Sequence, residues 1–87
     1  MTANVKATAA ALALVPRKIG DEITFAATNL ATGKVWTFQC KRLARDCWYL
    51  EAGLHTPRTR FGDKHQIAED IQHALDNGNL PGQTGRP

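Results

Sequence analysis

Three short stretches between residues 22 and 52 repeat one pattern, and that pattern restricts the fold more than any other feature of the chain. Ile23, Phe25 and Ala27 alternate with polar neighbours, as do Trp36, Phe38 and Cys40, and then Trp48, Leu50 and Ala52. A period of two sends successive side chains to opposite faces, so each stretch reads as a strand with one apolar side. Thr32-Gly33 lies where the first two strands must reverse, which makes an antiparallel meander the expected arrangement. A sheet with one apolar face needs a cover.

The cover is expected from Asp63 to Asn77. Asp63 is a suitable N-cap, and Gln66 three residues later completes a weak capping box. Ile67, Ile71, Ala74 and Leu75, with Ala68 at the edge, form one apolar stripe at helical spacing. Gly78 supplies a left-handed stop and Pro81 prevents continuation. The fold class is therefore α+β: a small antiparallel meander sheet of about three to five strands, packed on one face by a single C-terminal helix. With 87 residues, the chain has room for one such domain. It divides into an N-terminal segment (1–20), a sheet-plus-helix core (21–78) and a flexible tail (79–87).

Two stretches are open to more than one reading. Residues 7–15 are rich in Ala and Leu, which suits a short helix, whereas the shared parity of Leu12 and Leu14 favours an extra strand. Leu54 to Phe61, with Pro57 inside, is a long loop or a short edge strand ending at Phe61. The Ala-dominated N-terminus resembles a weak signal peptide, but no run approaches the ~18 apolar residues of a membrane span. The expectation is a cytoplasmic protein with no membrane association.

The segment CKRLARDCWYL, residues 40–50, invites a cysteine clamp, and strand register tests it. Pairing Trp36 with Ala52, Phe38 with Leu50 and Cys40 with Trp48 puts every large apolar group on one side. A one-residue shift would bring Cys40 opposite Cys47, yet would bury Glu51 and expel Trp48. The pattern places Cys40 inside and Cys47 outside, with Leu43 to Arg45 forming the bend. Cys40, Cys47, His55, His65 and His73 are separated by six, seven, nine and seven intervening residues, without the short paired spacings of a structural zinc site. His65, Glu69 and His73 share one helix face, where solvated Glu to His pairing is the expectation rather than a metal. No metal or other cofactor is expected.

Catalytic machinery is not visible either. Cys47 and His55 are the only nearby nucleophile and base, without an orienting third group, and the carboxylates are scattered. Thr32-Gly33-Lys34 lacks the earlier glycine of a phosphate loop, and Val35 stands where a hydroxyl is required. The chain reads as a non-enzymatic binding protein. Formal charge is +3, and seven of the eleven Lys and Arg fall between Lys34 and Lys64, whereas residues 65–77 hold three acids and none.

The sheet face away from the helix is expected to present Thr24, Thr28, Thr37, Gln39, Lys41, Tyr49 and Glu51. Arg42 and Arg45 in the second turn, and Arg58, Arg60 and Lys64 after the third strand, would form a cationic rim. Candidate binding residues are Gln39, Lys41, Arg42, Arg45, Tyr49, Arg58 and Arg60, and the partner they suit best is nucleic acid. The order strand, strand, strand, helix over residues 22–77 resembles the small DNA-binding domains of AP2 proteins and of recombinase arm-binding proteins. That resemblance is in element order and implies DNA read by the sheet. Small chains without catalytic residues are also similar to phage and mobile-element inhibitors such as anti-CRISPR proteins, which implies a protein or nucleoprotein partner. A homodimer through a strand edge is a third option.

Overall fold

The computed structural model describes residues 8–53 and 58–81, with Arg58 described through its backbone alone. Four strands, β1 (Glu22–Thr28), β2 (Val35–Ala44), β3 (Cys47–Ala52) and β4 (Arg58–Gly62), form one antiparallel sheet in the order β1-β2-β3-β4. Helix α2 (Lys64–Asn77) follows, and a short helix α1 (Ala9–Ala13) precedes the sheet. The meander and its covering helix are thus those the alternation and the apolar stripe demand.

Local chemistry fixes both ends of α2. The Asp63 carboxylate accepts from Gln66 N at 2.9 Å, and Gly78 closes the helix at φ 74° with its N–H on Ala74 O at 2.6 Å. Gly78 is also held by space: a Cβ there would lie 2.2 Å from the Thr28 carbonyl oxygen. The C-terminal end of the helix therefore rests directly on the β1–β2 loop. In that loop Asn29 is buried, and its side-chain oxygen accepts from Ala31 N and Thr32 N at 2.9 and 3.1 Å. Gly33 takes the positive φ the reversal needs.

The core lies between the sheet and α2. Phe38, Cys40, Leu50, Ile67, Ile71 and Leu80 are fully enclosed, with Trp48, Ala52, Ala68 and Ala74 around them. Phe25 stacks on Phe38 at 5.1 Å between ring centres and an 8° interplanar angle. Cys40 faces inward with a free thiol that burial pushes up to about 12, and Cys47 is free and half-buried on the third strand.

Four expectations need correction. The pairing of β2 with β3 runs Phe38 to Ala52, Cys40 to Leu50 and Arg42 to Trp48, two residues away from the expected register. A two-residue slip preserves which face each side chain occupies, so alternation cannot detect it. The bend is not Leu43 to Arg45. The strand runs on through Ala44 with an irregularity between Arg42 and Ala44, and the turn is Arg45-Asp46. The strand favoured for residues 7–15 is instead α1. Thr8 caps it, its alanines suit a helix, and Ala11 is fully buried while Leu12 is 39% exposed, so the parity of Leu12 and Leu14 marked no strand face. Finally, Leu80, in the segment read as a tail, is fully buried and belongs to the core. Residues 82–87 lie outside the described residues, as do Leu54 to Pro57, and the ambiguous stretch after β3 yields the edge strand β4.

Candidate nucleic-acid interface

The face opposite α2 is open, and its side chains form rows across the strands. Register places Glu22 beside Lys41, Lys41 beside Tyr49, and Tyr49 beside Phe61. The next row runs Thr24, Gln39, Glu51 and Thr59. Tyr49 and Phe61 meet edge to face, with ring centres 6.1 Å apart and planes at 63°. Phe61 is 61% exposed, an aromatic ring left in water at the sheet surface. Gln39 Nε2 donates to Glu22 Oε2, a diagonal bond that ties the second row to the first. The Tyr49 phenol is held above its usual range, first by desolvation and then by the charges of Glu51 and Glu22.

The candidate residues divide into two groups. Gln39, Lys41 and Tyr49 converge on the open face as expected, and Phe61 joins them. Phe61 was missed because its strand was ambiguous, although its parity with Tyr49 across a fourth strand was the signal that could have found it. Arg42 and Arg60 lie on the other side of the sheet.

Arg42 lies over the Trp48 ring, 4.5 Å from its centre, and its guanidinium donates to the carbonyls of Arg17, Ala44 and Arg45. Its backbone donates to Asp21 O at 3.1 Å and accepts from Gly20 N at 2.8 Å. Trp48 Nε1 donates to Pro16 O at 2.8 Å, so the pair anchors the segment before β1 onto the second hairpin. Arg60 donates from Nε to Asp70 Oδ2 at 3.1 Å, joining β4 to α2, with Asp70 almost wholly enclosed. Arg45 is exposed in the turn, and Arg58 pairs through its backbone with Ala52.

A concave region lies between α1, the second turn and the start of α2. This open cleft, about 1400 Å³, is lined by Arg17, Lys18, Arg42, Arg45 and Lys64 but also by Asp21, Glu22, Asp46 and Asp63. Signs alternate so closely that the cleft is a weak attractor for a polyanion.

Among the described residues no group of three His, Cys, Asp or Glu could hold a metal ion. His65 and Glu69 are exposed, and His73 Nδ1 lies 3.0 Å from the Asn79 carbonyl oxygen. No described helix is long and apolar enough to cross a membrane. Comparison of the chain with known protein families, curated proteins and solved structures found no significant match.

Proposed function

We propose that the protein is a non-enzymatic binder of single-stranded nucleic acid, which lies across the open sheet face. The observation that carries this reading is the Tyr49–Phe61 pair, an exposed ring against a half-exposed one on a polar sheet. Bases stack on such rings with little regard to sequence, each worth about 1–3 kcal/mol. Gln39 and the threonines around it offer donors and acceptors to base edges, and Lys41 stands beside Tyr49 to meet the backbone phosphate. The cationic contribution of this face is thus Lys41, since Arg42 and Arg60 lie on the other side of the sheet and Arg45 lines the mixed-charge cleft. Glu22 and Glu51 share the face and oppose phosphate, so stacking supplies more of the affinity than charge does. The free thiols suit a cytoplasmic setting.

Fluorescence anisotropy of a labelled oligothymidine, at about 50 mM salt, tests this reading. Phe61→Ala and Tyr49→Ala each lower affinity roughly tenfold or more, and Lys41→Ala makes the salt dependence shallower. Absence of binding at that salt, or unchanged affinity in Phe61→Ala, would overturn it. A second reading, an inhibitor or adaptor of phage or mobile-element type that occupies a surface of a larger complex, is favoured by those same carboxylates. A basic protein surface accommodates Glu22 and Glu51 where phosphate does not.

A further inference from the structure

The sheet has two free edges, and they are unlike. β4 carries Arg58 and Arg60 within its five residues, and charge of this kind discourages pairing at an edge. β1, with the sequence EITFAAT, carries no proline and no cation along seven residues, and Glu22 stands at its very end. Among the described residues no strand covers its outer side.

The outward hydrogen-bonding groups of β1 can be assigned. Asn29 N donates to Lys34 O at 2.7 Å and Arg42 N to Asp21 O at 3.1 Å, at the two ends of the β1–β2 ladder and in its register. Antiparallel ladders alternate, so residues 23, 25 and 27 bond to β2, and Glu22, Thr24, Ala26 and Thr28 direct their backbone groups outward. These outward residues are symmetric about Phe25.

We infer that β1 is the pairing strand of a symmetric homodimer, in which two copies join antiparallel across a two-fold axis at Phe25 to make one continuous eight-stranded sheet. Every outward group of β1 is then used. Thr24 faces Ala26 of the second copy, and Glu22 faces Thr28, so no like charges meet. On the helix side Ile23 faces Ala27, and Phe25 faces Phe25, extending the Phe25–Phe38 stack across the axis. Half-buried Ile23 and Phe25 thereby lose their remaining exposure.

A separate observation agrees. Leu30 and Ile19 are 76% and 62% exposed, beyond opposite ends of β1. Ile19 lies in the Lys18–Asp21 turn and Leu30 in the β1–β2 loop, just beyond the ends at which two copies of β1 would meet, so each aliphatic side chain of one copy stands near the other's in the second. The inference does not rest on the nucleic-acid reading.

Sedimentation equilibrium on the full chain tests it. The interface is smaller than the ~1,600 Å² of a standard complex, so the mass of the wild type rises from one chain to two between about 10 µM and 1 mM. The variants T24K/A26K and T24E/A26E place like charges opposite each other in the proposed register, and both change only exposed open-face positions. Each alone stays at one chain mass, and an equimolar mixture regains two. Leu30→Ser, in a loop outside the sheet, weakens association several-fold and serves if a doubly substituted strand does not fold. Circular dichroism at low concentration establishes folding of each variant. A wild type that remains one chain mass at about 1 mM overturns the inference. So does undiminished association in a folded T24K/A26K, or a mixture of folded variants that fails to pair.

Discussion

Tyr49 and Leu50 are neighbours on β3 and live under different rules. Leu50 is fully enclosed between the sheet and α2, whereas Tyr49 stands half-exposed beside Phe61 on the open side. The cations divide in the same way. Arg42 and Arg60 are engaged on the covered side, one stacked on Trp48 and the other paired with Asp70, while Lys41 and Arg45 stay outside. Charge counted along the chain therefore overstates what is free to meet a ligand. Stability is concentrated on the covered face, and the proposed recognition belongs to the other.

The largest expected effect would break that division outright. Leu50→Ala lowers unfolding free energy by about 3–5 kcal/mol in urea titrations, and Thr37→Ala on the open face by less than about 0.5 kcal/mol. Comparable losses would mean that the faces are not energetically distinct.

Next comes the Arg60–Asp70 pair, whose two ends differ in exposure, 40% for the Arg60 side chain and 4% for Asp70. Arg60→Ala strands an enclosed carboxylate and costs about 2 kcal/mol, whereas Asp70→Ala frees a guanidinium that water can reach and costs about 1 kcal/mol. The order of the two in thermal or urea unfolding is the test, and the reverse order would place the desolvated charge on the wrong partner.

An effect that is nil at neutral pH and appears only in alkali concerns the two thiols. Burial pushes the Cys40 thiol up to about 12, from an ordinary value of 9.0. The neutral form is favoured by folding, so this contribution is complete below pH 9 and is lost as pH rises toward 12. The loss approaches about 1.4 kcal/mol per pH unit, because only the unfolded thiol ionises in that window. Urea midpoints from pH 8 to 10.5 fall less steeply in Cys40→Ala than in the wild type. At neutral pH a thiol reagent labels Cys47 in the folded protein and reaches Cys40 only on unfolding.

What the chain reveals in advance follows from the range of each interaction. The caps of α2 depend on Asp63, Gln66 and Gly78, all within one turn of the helix ends, and are readable locally. The faces of β1, β2 and β3 depend on parity and are readable too, which is why Cys40 was placed inside. The β2–β3 register is another matter, since a slip of two leaves parity intact and the choice falls to the Arg45-Asp46 turn and the irregularity before it. Within α1, alanine propensity outweighed the parity of two leucines. The long-range partners of Arg42 and Arg60 were hidden because they lie far along the chain, Arg17 at 25 residues and Asp70 at 10. Of the candidate site, the trio Gln39, Lys41 and Tyr49 was legible, and the ring that completes it was not.

The anchoring of the N-terminal segment bears on the order in which the molecule assembles. Pro16 and Arg17 are held by side chains 32 and 25 residues downstream, one on each strand of the β2–β3 hairpin. Closing such separations costs chain entropy that only a formed hairpin repays, so docking of this segment belongs late on the folding route. During synthesis, then, residues 8–17 emerge early and wait: the first part of the domain to be made is among the last to find its place.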